Sequence, residues 1–184
     1  IHGISTTPGG VHKKITVRER DYFLNGKDIP SIDTMISWSQ EIIDFMKSYH
    51  NQNAHWLNEF ATYPSGHLGL VNAENGYLEL YDGRLRAIDS MGQKTLDDIE
   101  DEEYQHYFYE GVEKWSYLKF PYLKHLGRET GWNRVGPLAR LNVCERISTP
   151  LAAYERLEFL DANLGKTCNR TMFSHWARLI ELLH

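Results

Sequence analysis

The chain has 184 residues, of which 41% are hydrophobic and 24% are charged. It is long enough and apolar enough to bury a core, which excludes a disordered tail and a fibrous repeat. Its 20 basic and 25 acidic residues are spread along the chain and give a formal net charge of -5. We therefore expect no extended electropositive face and no nucleic acid among its partners.

The hydropathy of the chain predicts no membrane span. No window approaches the ~18 consecutive apolar residues that a spanning helix needs, and Ile1-His2-Gly3 does not open a signal peptide. The two cysteines, Cys144 and Cys168, form neither a disulfide framework nor half of a Cys-x-x-Cys metal site. We expect a cytoplasmic protein with two reduced thiols.

Residues 1–30 are predicted to form a loop region. Gly3, Pro8, Gly9 and Gly10 punctuate its first ten positions, and no regular element precedes them. This layout favours a fragment of a longer protein. A chain numbered from a processed terminus is the alternative.

Residues 31–60 are predicted to form a helical hairpin. Ser31, after Pro30, is the candidate N-cap, and the polar stretch 51–53 can divide the segment into two helices. Apolar side chains recur at intervals of three, four and seven residues, at Ile32, Met35, Ile36, Ile42, Ile43, Met46 and Tyr49. This spacing is typical of amphipathic helices.

Residues 67–88 are predicted to form a small antiparallel β-meander. The apolar period changes to two in this segment, as a half-buried strand requires. Asn75-Gly76 and Asp82-Gly83 lie where two tight hairpin turns belong. We therefore predict three short strands, the middle one over residues 77–81.

Residues 97–184 are predicted to be helical. Six of the seven residues 97–103 are acidic, and we interpret them as a solvated first helical turn rather than a cation site, because the backbone dipole favours carboxylates there. Thr149-Pro150 supplies an N-cap and a first helical position. An apolar stripe at helical spacing follows and ends at Gly165. It consists of Leu151, Tyr154, Leu157, Leu160 and Leu164.

Together these elements predict a single α+β domain over residues 1–184 that is mainly helical. A helical hairpin comes first, a small antiparallel meander follows, and a group of helices completes the chain.

The nine histidines of the chain do not have the spacing of a metal site. His50 and His55 are five residues apart, which separates them by about 140° around a helix. His55 and Glu59 can share a helix face, but a stable site needs three or four convergent ligands. The chain also contains no nucleophile elbow and no phosphate-binding loop. We therefore predict no metal-binding and no catalytic residue.

Three landmarks resemble the large subunit of nickel–iron hydrogenases, and they lie in the order of that family. The first is the loop His2-Gly3 with Pro8-Gly9-Gly10. The second is Val135-Gly136-Pro137-Leu138-Ala139-Arg140-Leu141-Asn142, followed by Thr149-Pro150-Leu151-Ala152. The third is Trp176-Ala177-Arg178-Leu179-Ile180-Glu181. Within the family, the chain is most similar to the cytoplasmic, bidirectional, NAD-reducing branch.

The resemblance implies a parent protein that cleaves or forms H2 at a nickel–iron centre, whose iron also holds cyanide and carbon monoxide. Its implied partners are diaphorase subunits and a small hydrogenase subunit, which carry iron–sulfur clusters and deliver electrons to NAD. An NADP- or F420-linked hydrogenase large subunit is one alternative. A non-catalytic scaffold or interaction domain of the same fold is another.

The family binds its metals through two Cys-x-x-Cys pairs near the two ends of a much longer subunit, and neither pair is present in this chain. The resemblance therefore implies the central part of a catalytic subunit. We expect this part to be inactive alone and to hold no cofactor. Cys144 and Cys168 are expected to be packed or inert helix cysteines.

His2 and Arg140 are the two candidates for a supporting role. The family's loop containing His2 approaches the active-site region and the small subunit, where an imidazole can donate a hydrogen bond to a cluster or ligand sulfur. A loop histidine bonded to backbone is the alternative. Arg140 is expected to brace the scaffold by holding a carboxylate or backbone carbonyls, with a helix-surface cation as the alternative.

Overall fold

In the computed structural model the described residues are 30–184. The chain divides into two compact units, residues 1–38 and residues 39–184. The predicted loop before Pro30, and with it the candidate residue His2, lies outside the described residues. The expectation of one domain over residues 1–184 stays a prediction.

A long helix opens the described part, as the sequence predicts. Helix α1 spans Ile32–Gln52, and Ser31 caps it, because Ser31 Oγ accepts the backbone N–H of Thr34 at 3.2 Å. The second predicted helix, α2, is only four residues long, Ala54–Leu57. Asn53 separates the two helices, and its side-chain amide donates to the last turn of α1 at Tyr49 O, 2.9 Å away.

Within residues 30–184, six strands form a four-stranded sheet and a separate hairpin. They are β1 Gly66–Val71, β2 Arg84–Ile88, β3 Lys94–Ile99, β4 Phe108–Val112, β5 Lys119–Leu123 and β6 Asn133–Arg134. The sheet has the order β3-β2-β1-β6, in which β6 alone runs parallel to its neighbour. Strands β4 and β5 form the separate antiparallel hairpin, and Tyr122 of β5 makes one further bridge to Trp132. The mixed α+β class predicted from the sequence is confirmed.

The prediction of a middle strand over residues 77–81 is wrong. These residues contribute one bridge, between Leu78 and Val71. The carboxylate of Glu79 accepts the backbone N–H groups of Leu80 and Tyr81, at 2.9 and 3.1 Å. Because those amide groups are taken by a local side chain, they are not available to a strand ladder.

Strand β3 completes the antiparallel meander in place of the middle strand predicted at 77–81. A turn at residues 89–93 joins it to β2, and Asp89 Oδ1 accepts the backbone N–H groups of Met91 and Gln93 at 2.8 and 2.9 Å. The acidic residues Asp97 and Asp98 lie in this strand rather than in a first helical turn. The predicted meander boundaries, 67–88, are therefore too short.

The prediction that residues 97–184 are helical is wrong in part, because the segment contains β4, β5 and β6 as well as helices. A 3-10 turn at Asp101–Glu103 leads into helix α3, Tyr104–Tyr107. Aromatic residues favour strands, and the aromatic run changes to β4 at Phe108. The remaining helices are α4 Gly127–Thr130, α5 Pro137–Val143, α6 Pro150–Asp161 and α7 Ser174–Leu183.

The main core lies between the sheet and helices α5, α6 and α7. Its larger members are Val71, Leu78, Ile88, Leu138, Leu141, Phe159, Phe173, Trp176 and Ile180. A second, smaller cluster joins the sheet to the hairpin through Ala87, Leu96, Phe108 and Leu123. No helix within residues 30–184 is long and apolar enough to cross a bilayer.

Helix α6 places its apolar stripe outward. Leu151, Tyr154 and Leu157 are exposed, whereas the buried face of the helix consists of Ala152, Glu155, Arg156 and Phe159. Two charged residues on a buried face require partners, because an unpaired buried charge is costly. Glu155 accepts a hydrogen bond from Trp176, and Arg156 donates to backbone carbonyls near the end of α5.

Candidate functional site

Arg140 joins two of the segments that resemble hydrogenases. From α5 it donates through Nε and Nη2 to the two carboxylate oxygens of Glu181 in α7, at 2.6 Å each. The two side chains are 29% and 10% exposed. Such a two-bond pair fixes direction as well as distance. Arg140 thus holds a carboxylate, one of the two acceptor types expected for it, and its bracing role stays a prediction.

Helix α5 lies directly on β1 because Gly69 has no side chain. A Cβ atom at Gly69 would come within 2.9 Å of Val143 Cγ2 and 3.0 Å of Arg140 Cγ. These distances are too short for ordinary packing, so only glycine permits this approach. The backbone of β1 and the stem of Arg140 are therefore held in close contact.

Arg156 is a buried residue that sequence reasoning missed. Its guanidinium donates to the carbonyl oxygens of Leu141, Cys144 and Glu145, at 3.1, 2.6 and 3.1 Å. These carbonyls lie at and beyond the end of α5, where helix carbonyls lack internal partners. The spacing of Ala152, Arg156 and Phe159 along one helix face is the sequence signal that could have identified it.

A second missed cluster surrounds His67, which is fully buried in β1. Asn142 Nδ2 lies 3.2 Å from His67 Nδ1, and His67 Nε2 lies 3.3 Å from Asn169 Oδ1. Asn142 is itself oriented by the backbone of Cys168, whose N–H donates to Oδ1 at 3.0 Å and whose carbonyl accepts from Nδ2 at 2.9 Å. The cluster therefore ties β1, α5 and residues 168–169 together.

The orientation of Asn142 fixes the protonation of His67. The amide nitrogen of Asn142 faces Nδ1, so Nδ1 accepts a hydrogen bond and Nε2 carries the proton that is donated to Asn169. Burial lowers the pKa of His67 to about 4, and the charge of Arg134 acts in the same direction. The imidazole is neutral at pH 7.

Glu155 forms a third buried connection, between α1, α6 and α7. Lys47 Nζ lies 2.7 Å from Glu155 Oε1 and 2.5 Å from Glu158 Oε2. Trp176 Nε1 donates to Glu155 Oε1 at 2.8 Å. Burial alone would lower the pKa of Lys47, but its hydrogen bonds to the two glutamates outweigh burial and raise that pKa.

The two cysteines do not fit a nickel–iron centre. Both are buried, and burial raises the pKa of the Cys144 thiol and raises that of Cys168 to about 11. A metal ligand must be a thiolate, whereas these environments favour the neutral thiol. Within residues 30–184, no group of three or more histidine, cysteine or acidic side chains could hold a metal ion.

His50 and His55 lie in different environments. His50 is buried, with its ring 4.4 Å from the ring of Phe173 in an edge-on arrangement. His55 is exposed in α2. The structure therefore brings together Arg140 with Glu181 and His67 with two asparagines, but none of these is a metal-ligating constellation.

Comparison with known proteins shows which proteins the chain resembles. No protein-family profile matches the chain. The NAD-reducing hydrogenase HoxS subunit beta of Cupriavidus necator is 40% identical over 185 residues, which cover 100% of this chain and 38% of the relative. An F420-non-reducing hydrogenase subunit of Methanococcus voltae is 37% identical over 183 residues, which cover 100% of this chain and 41% of that relative.

A solved structure gives the same result for the fold. The crystal structure of an NAD+-reducing nickel–iron hydrogenase in the H2-reduced state has a TM-score of 0.79 and 37% identity, with 100% of this chain and 39% of that chain covered. The chain thus spans about two fifths of the length of the proteins that it matches. It is a partial homologue of the large subunits of nickel–iron hydrogenases.

Proposed function

We propose that the protein containing this chain catalyses reversible H2 oxidation coupled to NAD reduction. The observation that carries the proposal is the 40% identity, along the whole of this chain, to a protein named NAD-reducing hydrogenase. The similar solved structure is also described as NAD+-reducing. The relatives from methanogens are named F420-non-reducing, which supports an acceptor other than F420.

The proposed parent is a cytoplasmic assembly. Its partners are diaphorase subunits with iron–sulfur clusters and a small hydrogenase subunit. The relative from Cupriavidus necator is itself named as one subunit of a hydrogenase, which supports an assembly of several chains. The loop with His2 is proposed to face the small subunit.

Within that assembly, residues 30–184 are proposed to act as scaffold. The Arg140–Glu181 pair, the Arg156 contacts and the His67 cluster all hold α5 in place, from α7, from α6 and from β1. A rigid scaffold matters in a metal enzyme because small displacements around a metal change its reactivity. The metal supplies the chemistry, and its ligands are proposed to lie outside these residues.

The proposal is tested on the complete complex, purified with its partner subunits. H2-dependent reduction of NAD+, of F420 and of a viologen dye is measured together with nickel content. We expect NAD+ and dye reduction with one nickel per large subunit. Dye reduction without NAD+ reduction would overturn the assignment of NAD as acceptor. A stable complex without nickel and without dye reduction would favour the non-catalytic scaffold.

A further inference from the structure

A cleft with a mixed polar and apolar lining lies at the end of the four-stranded sheet, away from the contacts that hold α5. It has a volume of about 380 Å3 and is bordered by the start of β1, the turn after β2, and α4. Its lining includes the side chains of Ser65, Asp89, Thr95, Glu129, Trp132 and Asn133.

Two hydroxyl groups at this cleft are buried without partners. Ser65 is only 7% exposed, and neither its Oγ nor Thr95 Oγ1 has a hydrogen-bond partner in the described part of the chain. Buried hydroxyls are almost always hydrogen-bonded. Two unpartnered hydroxyls at one cleft therefore indicate a ligand that supplies hydrogen bonds.

The charges around the cleft are all negative. Within residues 30–184, the hydrogen bonds of the Asp89 side chain all use Oδ1, which holds the turn after β2, and the carboxylate of Glu129 forms no ion pair. Among these residues no lysine, arginine or histidine lines the cleft; Arg134, which follows Asn133, lies over the ring of Tyr63 instead. Carboxylates in a cleft that no basic side chain lines create a potential that attracts a positively charged ligand.

The side chain of Asn133 provides a third acceptor. Asn133 donates its amide to Gly131 O at 2.8 Å, and its Oδ1 occupies the space that a side chain at residue 66 would fill. A Cβ atom at Gly66 would overlap that oxygen. Glycine at this position thus permits a carboxamide oxygen beside the buried Ser65.

We propose that this cleft binds a small organic ammonium ion. The ammonium N–H groups donate to the hydroxyls of Ser65 and Thr95 and to the carboxylate of Glu129, and the half-exposed indole of Trp132 packs against the ligand's carbon chain. An organic cation fits better than a bare metal ion, because the volume exceeds one coordination shell and no cluster of three metal-ligating side chains is present in residues 30–184.

The proposal is tested by isothermal titration calorimetry of the full protein with n-butylammonium chloride. Neutral 1-butanol serves as a ligand of the same shape, and magnesium chloride serves as the inorganic cation. We expect saturable binding of butylammonium alone. Equal binding of 1-butanol, preferential binding of magnesium, or no saturable binding of butylammonium would each overturn the proposal.

Variants locate the binding. Glu129→Gln removes the charge at the surface of the cleft, and Thr95→Val removes only a hydroxyl, so each should weaken butylammonium binding about tenfold, as expected for a hydrogen bond to a charged group. Glu41→Gln, at an exposed position of α1, is the matched control and should leave the affinity unchanged. Unchanged affinity in both folded cleft variants would place the ligand elsewhere and overturn the assignment.

Discussion

The surroundings of α5 and the β4–β5 hairpin use charged residues in opposite ways. Around α5, Arg140 and Arg156 bind groups from other helices and loops, and Arg156 is buried. In the hairpin, Lys119 pairs with Glu110 across two exposed strands, and Tyr117 at the turn is 96% exposed. Exposed pairs contribute little stability, whereas buried groups that lose partners are costly. Stability should therefore depend on the α5 region.

The largest effect is expected for Arg156→Ala. This change leaves three carbonyl groups near the end of α5 without their donor, at Leu141, Cys144 and Glu145. We expect a loss of about 4 kcal/mol in the free energy of unfolding, since each unsatisfied buried acceptor costs roughly 1 to 3 kcal/mol. Unfolding in urea measures this loss of stability. Arg146→Ala, at an exposed arginine, is the control, and equal losses in the two variants would contradict the account.

The second-largest effect is expected when the pH is lowered, which should decrease the stability of the folded chain. The pKa of His67 is about 4 in the folded chain and about 6.5 in an unfolded one. Between these values the unfolded chain binds a proton that the folded chain does not, so stability falls as the pH is lowered through this window. The total is about 3 kcal/mol.

Unfolding free energies at pH 7, 5.5 and 4.5 test this linkage. His67→Gln should remove most of the dependence on pH, because it removes the imidazole whose pKa is about 4. A smaller dependence should remain, because burial also lowers the pKa of His50. His125→Gln, at an exposed histidine, should keep the dependence of the unmodified chain. Parallel curves for His67→Gln and the unmodified chain would show that the buried imidazole is not responsible.

Arg140→Ala should have a smaller effect, because the guanidinium is 29% exposed and water can replace part of its contact with Glu181. We expect a loss of about 2 kcal/mol, and in the full complex a parallel loss of folded yield and nickel content. Arg140→Lys should restore only part of the lost stability and nickel content, since lysine lacks the planar guanidinium that donates two parallel hydrogen bonds. Normal stability and nickel content with lost turnover would instead assign Arg140 to the chemistry.

The smallest effect is expected in the hairpin. Trp115 is exposed, and its ring lies 5.5 Å from the ring of Phe120. Trp115→Ser should change the free energy of unfolding by less than about 0.5 kcal/mol, as is usual for surface positions. A loss as large as that of Arg140→Ala would remove the contrast between the two regions.

Local signals in the sequence were sufficient for several elements. The Ser31 cap, the division near Asn53 and the start of α6 at Thr149-Pro150 all depend on neighbouring residues, and the structure contains each of them. Strand β3 was missed because its acidic residues resemble a helix start. Asp97 is instead paired with Arg86 of β2 at 2.6 Å, which a local pattern cannot reveal.

The polar contacts around α5 could not be predicted for the same reason. Arg140 and Glu181 are 41 residues apart, and His67 and Asn169 are 102 apart. Single-sequence reasoning sees residue types within a few turns of a helix or strand, whereas these partners meet only after the core has formed. Resemblance identified Arg140, but it did not identify Arg156 or His67.

We propose that this chain is a scaffold portion of a hydrogenase large subunit, one that does not itself carry the metal centre. The most direct test is elemental analysis of the purified 184-residue chain, combined with an assay of H2-dependent dye reduction. The account predicts no stoichiometric nickel and no dye reduction, because both cysteines are buried as neutral thiols. One nickel per chain retained through purification, together with H2-dependent dye reduction, would contradict it.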